Sequence, residues 1–312
     1  MTAPDRRLLT LHRMALLCVA LMLATLSLSA FMRLSQAGLG CAEWPACYGR
    51  NLRAAQQSGA TPEQGGHAVA AARLVHRMVA SVALILVITM VLTTLLSRPV
   101  LQREGALSLA LLVLALCLAV LGIVTPGARV PAIAMGNLLG GFLMLALCWR
   151  LAWMTGPAPA ASPLGAWGVA GLALLAGQIT LGALVSASYA ALACTDLADC
   201  SRAAAAAGWN WQSLNPWREP VFAGATLPIN ASAALAGLLH RAGAVLLLPV
   251  LVLLGVAAWR RGHRRAGAAL VALTLAQAAL GALLVATGLP LALVLLHNLL
   301  AALTLALMVR LV

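Results

Sequence analysis

Three of the six histidines in this chain of 312 residues lie where an ionisable ring is costly. His240 stands with Arg241 near the start of the apolar run GLLHRAGAVLLLPVLVLLGV, and His76 stands with Arg77 in ARLVHRMVASVALILVITMVL. The pattern Leu-x-His-Arg therefore occurs twice, and His297 lies in a third such run, LHNLLAALTLALMVRL. A histidine or arginine inside hydrocarbon is expected to face a bundle interior or a cavity, where imidazole can ligate a metal or carry a proton. His12 and His263 flank apolar runs on their basic side and His67 falls in a polar stretch, so these three are expected to be solvated.

The three intramembrane histidines lie roughly 6–12 Å below one surface at the ~1.5 Å rise of a helix. In an antiparallel bundle the runs carrying His240 and His297 point the same way, which puts both rings at one depth. That is the geometry for axial ligation of one haem iron between two helices. The simpler alternative is that each ring bonds a backbone carbonyl or lines a proton path. Arg77 and Arg241 could pair haem propionates or could snorkel to the headgroups. No Cys-x-x-Cys-His motif occurs, so a haem here would be held non-covalently.

Cysteines form the second constellation. Cys41 and Cys47 (CAEWPAC) match Cys194 and Cys200 (CTDLADC) in spacing, one pair opening each long polar segment. The gap is wide for a zinc knuckle and no histidines stand at finger spacing. On an oxidising membrane face each pair is expected to form a disulfide. Bracing of a loop is the simple reading; a redox-sensitive clip is the alternative, weighed more heavily for Cys41 and Cys47. Cys18, Cys117 and Cys148 lie within apolar runs and read as small buried side chains.

The elements that must position these groups are helices in a membrane. The chain is 63% hydrophobic and 9% charged, with a mean hydropathy of +0.99, far from the roughly 25% charge of soluble domains. Its net charge of +13 comes from arginines that mostly flank apolar runs, which marks them as topology signals and argues against nucleic-acid binding. Eight runs reach the ~20 residues a bilayer requires, at 13–33, 72–97, 106–125, 131–153, 166–188, 232–258, 266–287 and 290–309. Arg6, Arg7, Arg13, Arg98, Arg103, Arg150, Arg260, Arg261, Arg264, Arg265 and Arg310 all fall on one side of eight spans, which predicts cytoplasmic termini. Arg33 and the lack of a small-residue cleavage site make the first run a retained helix. The long segments are then 34–71, which reads as flexible around QQSGATPEQGG, and 189–231, whose three tryptophans suit an interfacial stretch.

The halves repeat. AFMRLSQAGLGC, ending at Cys41, aligns without a gap to ALVSASYAALAC, ending at Cys194; MGNLLGGFLMLALCWRL resembles LHNLLAALTLALMVRL; and GQITLGALV echoes AQAALGALLV. The expected fold is an all-α membrane protein of eight transmembrane helices in two pseudo-symmetric four-helix bundles. Residues 1–154 form the first bundle, 155–165 (TGPAPAASPLG) the linker and 166–312 the second.

Over most of its length the chain is similar to the haem A synthase family. The resemblance rests on eight helices in two repeats, cysteine pairs in both long loops, His-Arg in the second and sixth runs and a histidine in the eighth. RLSQAGLGCAEWPACYG resembles bacterial members with a cysteine pair in the first outer loop. The resemblance implies an oxidoreductase that converts the haem O methyl group to the formyl group of haem A for terminal oxidases. It implies a haem b on His240 and His297 and a substrate haem O at His76. It also implies a bacterial inner membrane with both long cysteine loops periplasmic, and partners among haem O synthase, thiol-disulfide oxidoreductases and terminal oxidases.

Two positions depart from the family. Its Glu-x-x-His-Arg pattern has Arg73 in place of the glutamate, and its helix-four histidine falls on Asn137 or Gly136, depending on the alignment. Asn137 could hydrogen-bond a bound water but cannot replace an imidazole. An active synthase using His76 is the preferred reading. A non-catalytic haem-binding or oxidase assembly paralogue is the alternative, and a membrane transporter the third.

Overall fold

The computed structural model describes residues 3–36, 66–96, 98–124, 130–156, 164–220 and 230–312. Cys41, Cys47 and the QQSGATPEQGG stretch lie outside the described residues. Nine α-helices occur among those described: α1 Ala3–Gln36, α2 His67–Leu95, α3 Gln102–Val124, α4 Pro131–Thr155, α5 Gly165–Ala187, α6 Leu197–Ala206, α7 Ala234–Arg260, α8 Arg264–Ala286 and α9 Leu291–Leu311. All except the short α6 are long and apolar enough to cross a membrane, which gives the eight spans expected. Helix is the form that satisfies every backbone donor and acceptor within one segment, and alanine and leucine are strong helix formers. Pro131 opens α4 at its first turn, where the missing N–H costs nothing.

The apolar side chains face outward as much as inward. Only 11–39% of each span's most apolar window is buried, while Ile123 is 80% and Leu246 72% exposed. Such surface is untenable in water and normal against lipid. Inside, Leu11, Met90, Leu111, Leu145, Leu151, Leu270, Met308 and Leu311 are fully buried.

Helix α1 packs on α2 and α4, and α3 on α2 and α4, closing one ring; α5 and α8 each pack on α7 and α9, closing a second. The rings meet where α4 and α1 touch α9 and α4 touches α5. Arg310 of α9 lies 4.3 Å from the Trp153 ring centre of α4, and Arg33 of α1 donates to the Ser186 hydroxyl of α5.

Three local expectations are corrected. His12 is not simply solvated: it is half-buried and its Nδ1 lies 2.8 Å from the Ala152 carbonyl, tying α1 to α4. His67 does not sit in a loop but is the first residue of α2. Cys117 is exposed rather than buried, because α3 turns that face outward, where hydrocarbon tolerates a thiol as it tolerates leucine. Helix α1 also begins ten residues earlier than the apolar run, at Ala3. Arg7 holds that extension by donating to the carbonyls of Thr93 (2.6 Å) and Pro99 (2.8 Å).

Candidate functional site

The second ring holds two histidines at one level. Helix α7 begins at Ala234 and α9 at Leu291, so His240 and His297 are each six residues into their helices. They are electrostatic neighbours and both are half-buried. Each ring is held by the preceding helix. On α5, Gln178 Nε2 donates to the His240 carbonyl at 2.7 Å and lies 3.1 Å from His240 Nδ1. On α8, Gln277 Nε2 lies 3.2 Å from His297 Nε2.

Glycines make room for both rings. A Cβ on Gly182 would stand 2.9 Å from His240 Cε1, and one on Gly281 would stand 3.4 Å from His297 Cε1. Gly182 and Gly281 each follow their glutamine by four residues and so share its helix face. On α7 itself, Gly243 leaves space for Gln178 Oε1, which a Cβ would meet at 2.5 Å.

These residues fit a porphyrin iron better than a bare ion. Among the described residues no cluster of three or more His, Cys, Asp or Glu could hold a metal. Two imidazoles suffice for haem, whose ring nitrogens supply the remaining iron ligands. His297 Nδ1 is buried without a hydrogen-bond partner, a cost that a ligated iron would remove.

Arg241 is half-buried and held by the loop that carries Cys194 and Cys200. Cys194 and Cys200 are joined in a disulfide. Arg241 donates to the carbonyls of Thr195 (2.8 Å) and Cys194 (3.0 Å), with Cys200 Sγ at 3.1 Å. The Cys194 sulfur rests against α7 at Gly237, where a Cβ would meet it at 3.3 Å. Beyond it, Asp196 caps α6 by accepting from the Asp199 N–H at 2.8 Å. The Asp199 carboxylate accepts from the Thr195 N–H and hydroxyl, which hold it below the usual carboxylate range.

In the first ring, His76 is half-buried, nine residues into α2, with no hydrogen-bond partner among the described residues. Arg77 is exposed. Gly136 faces α3, where a Cβ would meet Leu121 at 3.5 Å, and Asn137 is half-buried on α4. The structure thus gathers His240, His297 and Arg241 at one end of the second ring and leaves His76 without a second imidazole among the described residues. Gln178 and Gln277 were missed as site residues in the sequence, although the echo of GQITLGALV in AQAALGALLV carries both.

Fold and site together define a multi-pass membrane protein with eight helices long and apolar enough to span, one ring of which carries two half-buried histidines. The family of cytochrome oxidase assembly proteins designated COX15-CtaA matches residues 12–309. A curated relative, the heme A synthase of Shewanella oneidensis, is 31% identical over 300 residues, covering 88% of each chain. The chain belongs to this haem A synthase family.

Proposed function

We propose that the protein is a haem A synthase, oxidising the haem O methyl group to the formyl group of haem A for terminal oxidase biogenesis. The observation that carries this reading is the pair His240 and His297, each six residues into its helix and set against Gln178–Gly182 and Gln277–Gly281, in a chain of this family.

In this reading His240 and His297 hold a non-covalent haem b, which supplies one-electron transfer when bound. The helices exclude water from it, and the loop clamped by Arg241 and the Cys194–Cys200 disulfide covers the start of α7. The substrate, haem O, lies in the first ring with its iron on His76. Arg77 pairs a propionate there, and the free edges of the Arg241 guanidinium can do the same for haem b. With a single imidazole, a coordination position stays open for reaction, and Asn137 is a candidate to hydrogen-bond a water nearby. Cys41 and Cys47 form a second disulfide, the one more prone to exchange with a thiol-disulfide oxidoreductase. The end carrying residues 188–220 is periplasmic, both termini are cytoplasmic and the membrane is the bacterial inner membrane.

Arg73 and Asn137 favour a second reading, a haem-binding assembly paralogue that makes no haem A, because a cation replaces the family's glutamate and an amide its helix-four histidine. One experiment separates the two. Co-expression with a haem O source, followed by haem extraction and chromatography, should yield haem A. Recovery of only haem O and haem B, where another family member makes haem A in the same host, would rule out the synthase.

A further inference from the structure

We propose that Arg33 of the first ring is a binding residue for the haem of the second, its guanidinium pairing one propionate carboxylate. The inference rests on the haem b site proposed above.

Three observations carry it. First, Arg33 crosses from one ring to the other. It stands in the last turn of α1, half-buried, and donates to the Ser186 hydroxyl of α5. The gapless alignment of AFMRLSQAGLGC with ALVSASYAALAC sets Arg33 against that same Ser186. The side chain therefore reaches its own counterpart in the repeat, at a place where the two halves face each other. One of the two equivalent positions holds a cation and the other its acceptor.

Second, two routes put the guanidinium about one turn from the level of the imidazoles. On α5, Gln178, Gly182 and Ser186 are four residues apart and share a face. Gln178 and Gly182 lie against the His240 ring, so Ser186 is the next step along that face, roughly 6 Å nearer the loop end. On α9, Val294 stands one turn before His297 on the same face. Val294 and Tyr189 pack on the cluster of Ala30 and Leu34, which bracket Arg33 on α1. The Arg33 charge also acts on the Tyr189 phenol.

Third, the group is more than its hydroxyl partner requires. Any neutral donor satisfies a serine, whereas a cation among apolar helices is costly and marks a functional position. A guanidinium is a planar fork of donors that matches a carboxylate, and hydrogen bonds between ionised groups are roughly twice as strong as neutral ones. Haem brings two propionates. Arg241 already holds the Thr195 and Cys194 carbonyls with its two terminal nitrogens, so Arg33 supplies a second cation at the same end of the ring.

The test is redox titration of the purified, haem-loaded protein between about pH 5 and pH 8, in the parent and in Arg33→Gln, Arg33→Lys and Ser186→Ala. Loss of the guanidinium leaves a carboxylate uncompensated, which favours ferric iron. Arg33→Gln should move the ferric–ferrous equilibrium roughly tenfold toward ferric, a midpoint potential about 59 mV lower. The carboxylate is then no longer held ionised and binds a proton as pH falls, so the potential of this variant should fall more steeply with rising pH than the parent's. Of the helices packed on α1, α2 carries His67, Arg73, His76 and Arg77 at this end, α9 carries His297 and α4 carries no titratable group. These groups, with Tyr189, His240, Arg241, Asp196 and Asp199, are common to parent and variants, so the added slope belongs to the propionate.

Arg33→Lys keeps the charge without the fork and should lie between parent and Arg33→Gln. Ser186→Ala keeps the guanidinium and should leave the potential in place, whereas a mere clasp between the rings would make Ser186→Ala and Arg33→Gln behave alike. A potential that is unchanged in Arg33→Gln, or lowered without the added pH slope, overturns the inference and leaves the haem reading intact. A parent protein without haem overturns both. If Arg33→Gln does not accumulate, Arg33→Lys decides alone: a lowered potential supports the pairing and an unchanged one refutes it.

Discussion

One methyl group at position 182 would report how tightly His240 is held. The Cβ of Gly182→Ala would stand 2.9 Å from Cε1 of the ring, closer than real side chains approach, with helix backbone behind both. Overpacking of this kind costs about 1–3 kcal/mol, and here the ring can yield only by leaving its place beside Gln178. Gly182→Ala should therefore lower the haem-to-protein ratio of the purified protein far more than Gly281→Ala, whose Cβ would meet His297 at 3.4 Å. Equal occupancy in the two variants would contradict the geometry. A second residue-scale prediction concerns pH. Bonds from the Thr195 N–H and hydroxyl hold Asp199 below the ordinary carboxylate range, so the folded loop binds fewer protons than the unfolded one. The contribution is complete above the ordinary carboxylate pKa and is lost as pH falls through the lowered folded value. Protection of the Thr195 amide, its exchange relative to an unfolded chain at the same pH, should fall across that acidic window in the parent, while in Asp199→Asn it should be low and vary little with pH.

Among the elements, α7 carries His240 and Arg241 and touches α5, α6 and α8. Against α8 it comes to backbone contact. A Cβ on Gly267 would fall onto the Gly255 carbonyl oxygen and 2.6 Å from the Trp259 nitrogen, and neither can move without moving a helix. Small residues let membrane helices approach in this way, where van der Waals packing holds them together. Gly267→Ala should lower the thermal midpoint in detergent by several degrees, on the scale of about 1–3 kcal/mol for overpacking. Gly122→Ala, with nothing within 4 Å of its Cβ, is the matched control and should leave it unchanged. The sequence made such helices legible, since runs of apolar residues near bilayer length admit one fold class, and every span was found within a few residues except the early start of α1. That start depends on Arg7 reaching the carbonyls of Thr93 and Pro99, a contact between distant segments that no local pattern encodes. His240 and His297 were legible because an imidazole is conspicuous among leucines. Gln178 and Gln277 were not, because an uncharged amide is an unremarkable residue at one helix position until the facing ring is known. His12 was misread for the same reason: its partner is the Ala152 carbonyl, on a helix 140 residues away in sequence.

At the scale of the whole molecule, the two rings share an order of packing and differ in what they carry. The second has two histidines with an amide and a glycine for each. The first has His76 on α2, with Arg73 one turn before it and Gly136 and Asn137 on α4, while His12 is spent on the Ala152 carbonyl and His67 opens α2. The rings meet through α4 and α9, with Arg310 over Trp153 and Arg33 donating to Ser186 across the junction. The proposed function implies a division of labour, in which the second ring would keep its cofactor whatever happens to His76 and the chemistry on haem O would depend on His76. His76→Ala should retain the low-spin b-type Soret and α bands of the purified protein and lose formation of haem A in co-expression with a haem O source. His240→Ala and His297→Ala should each lose those bands. The departures in the first ring can be tested in the opposite direction. Arg73→Glu together with Asn137→His would restore a carboxylate one turn from His76 and an imidazole on α4, and should raise haem A yield without altering the b-type spectrum. If His76→Ala removed the low-spin bands while His297→Ala spared them, the assignment of the two rings would have to be exchanged.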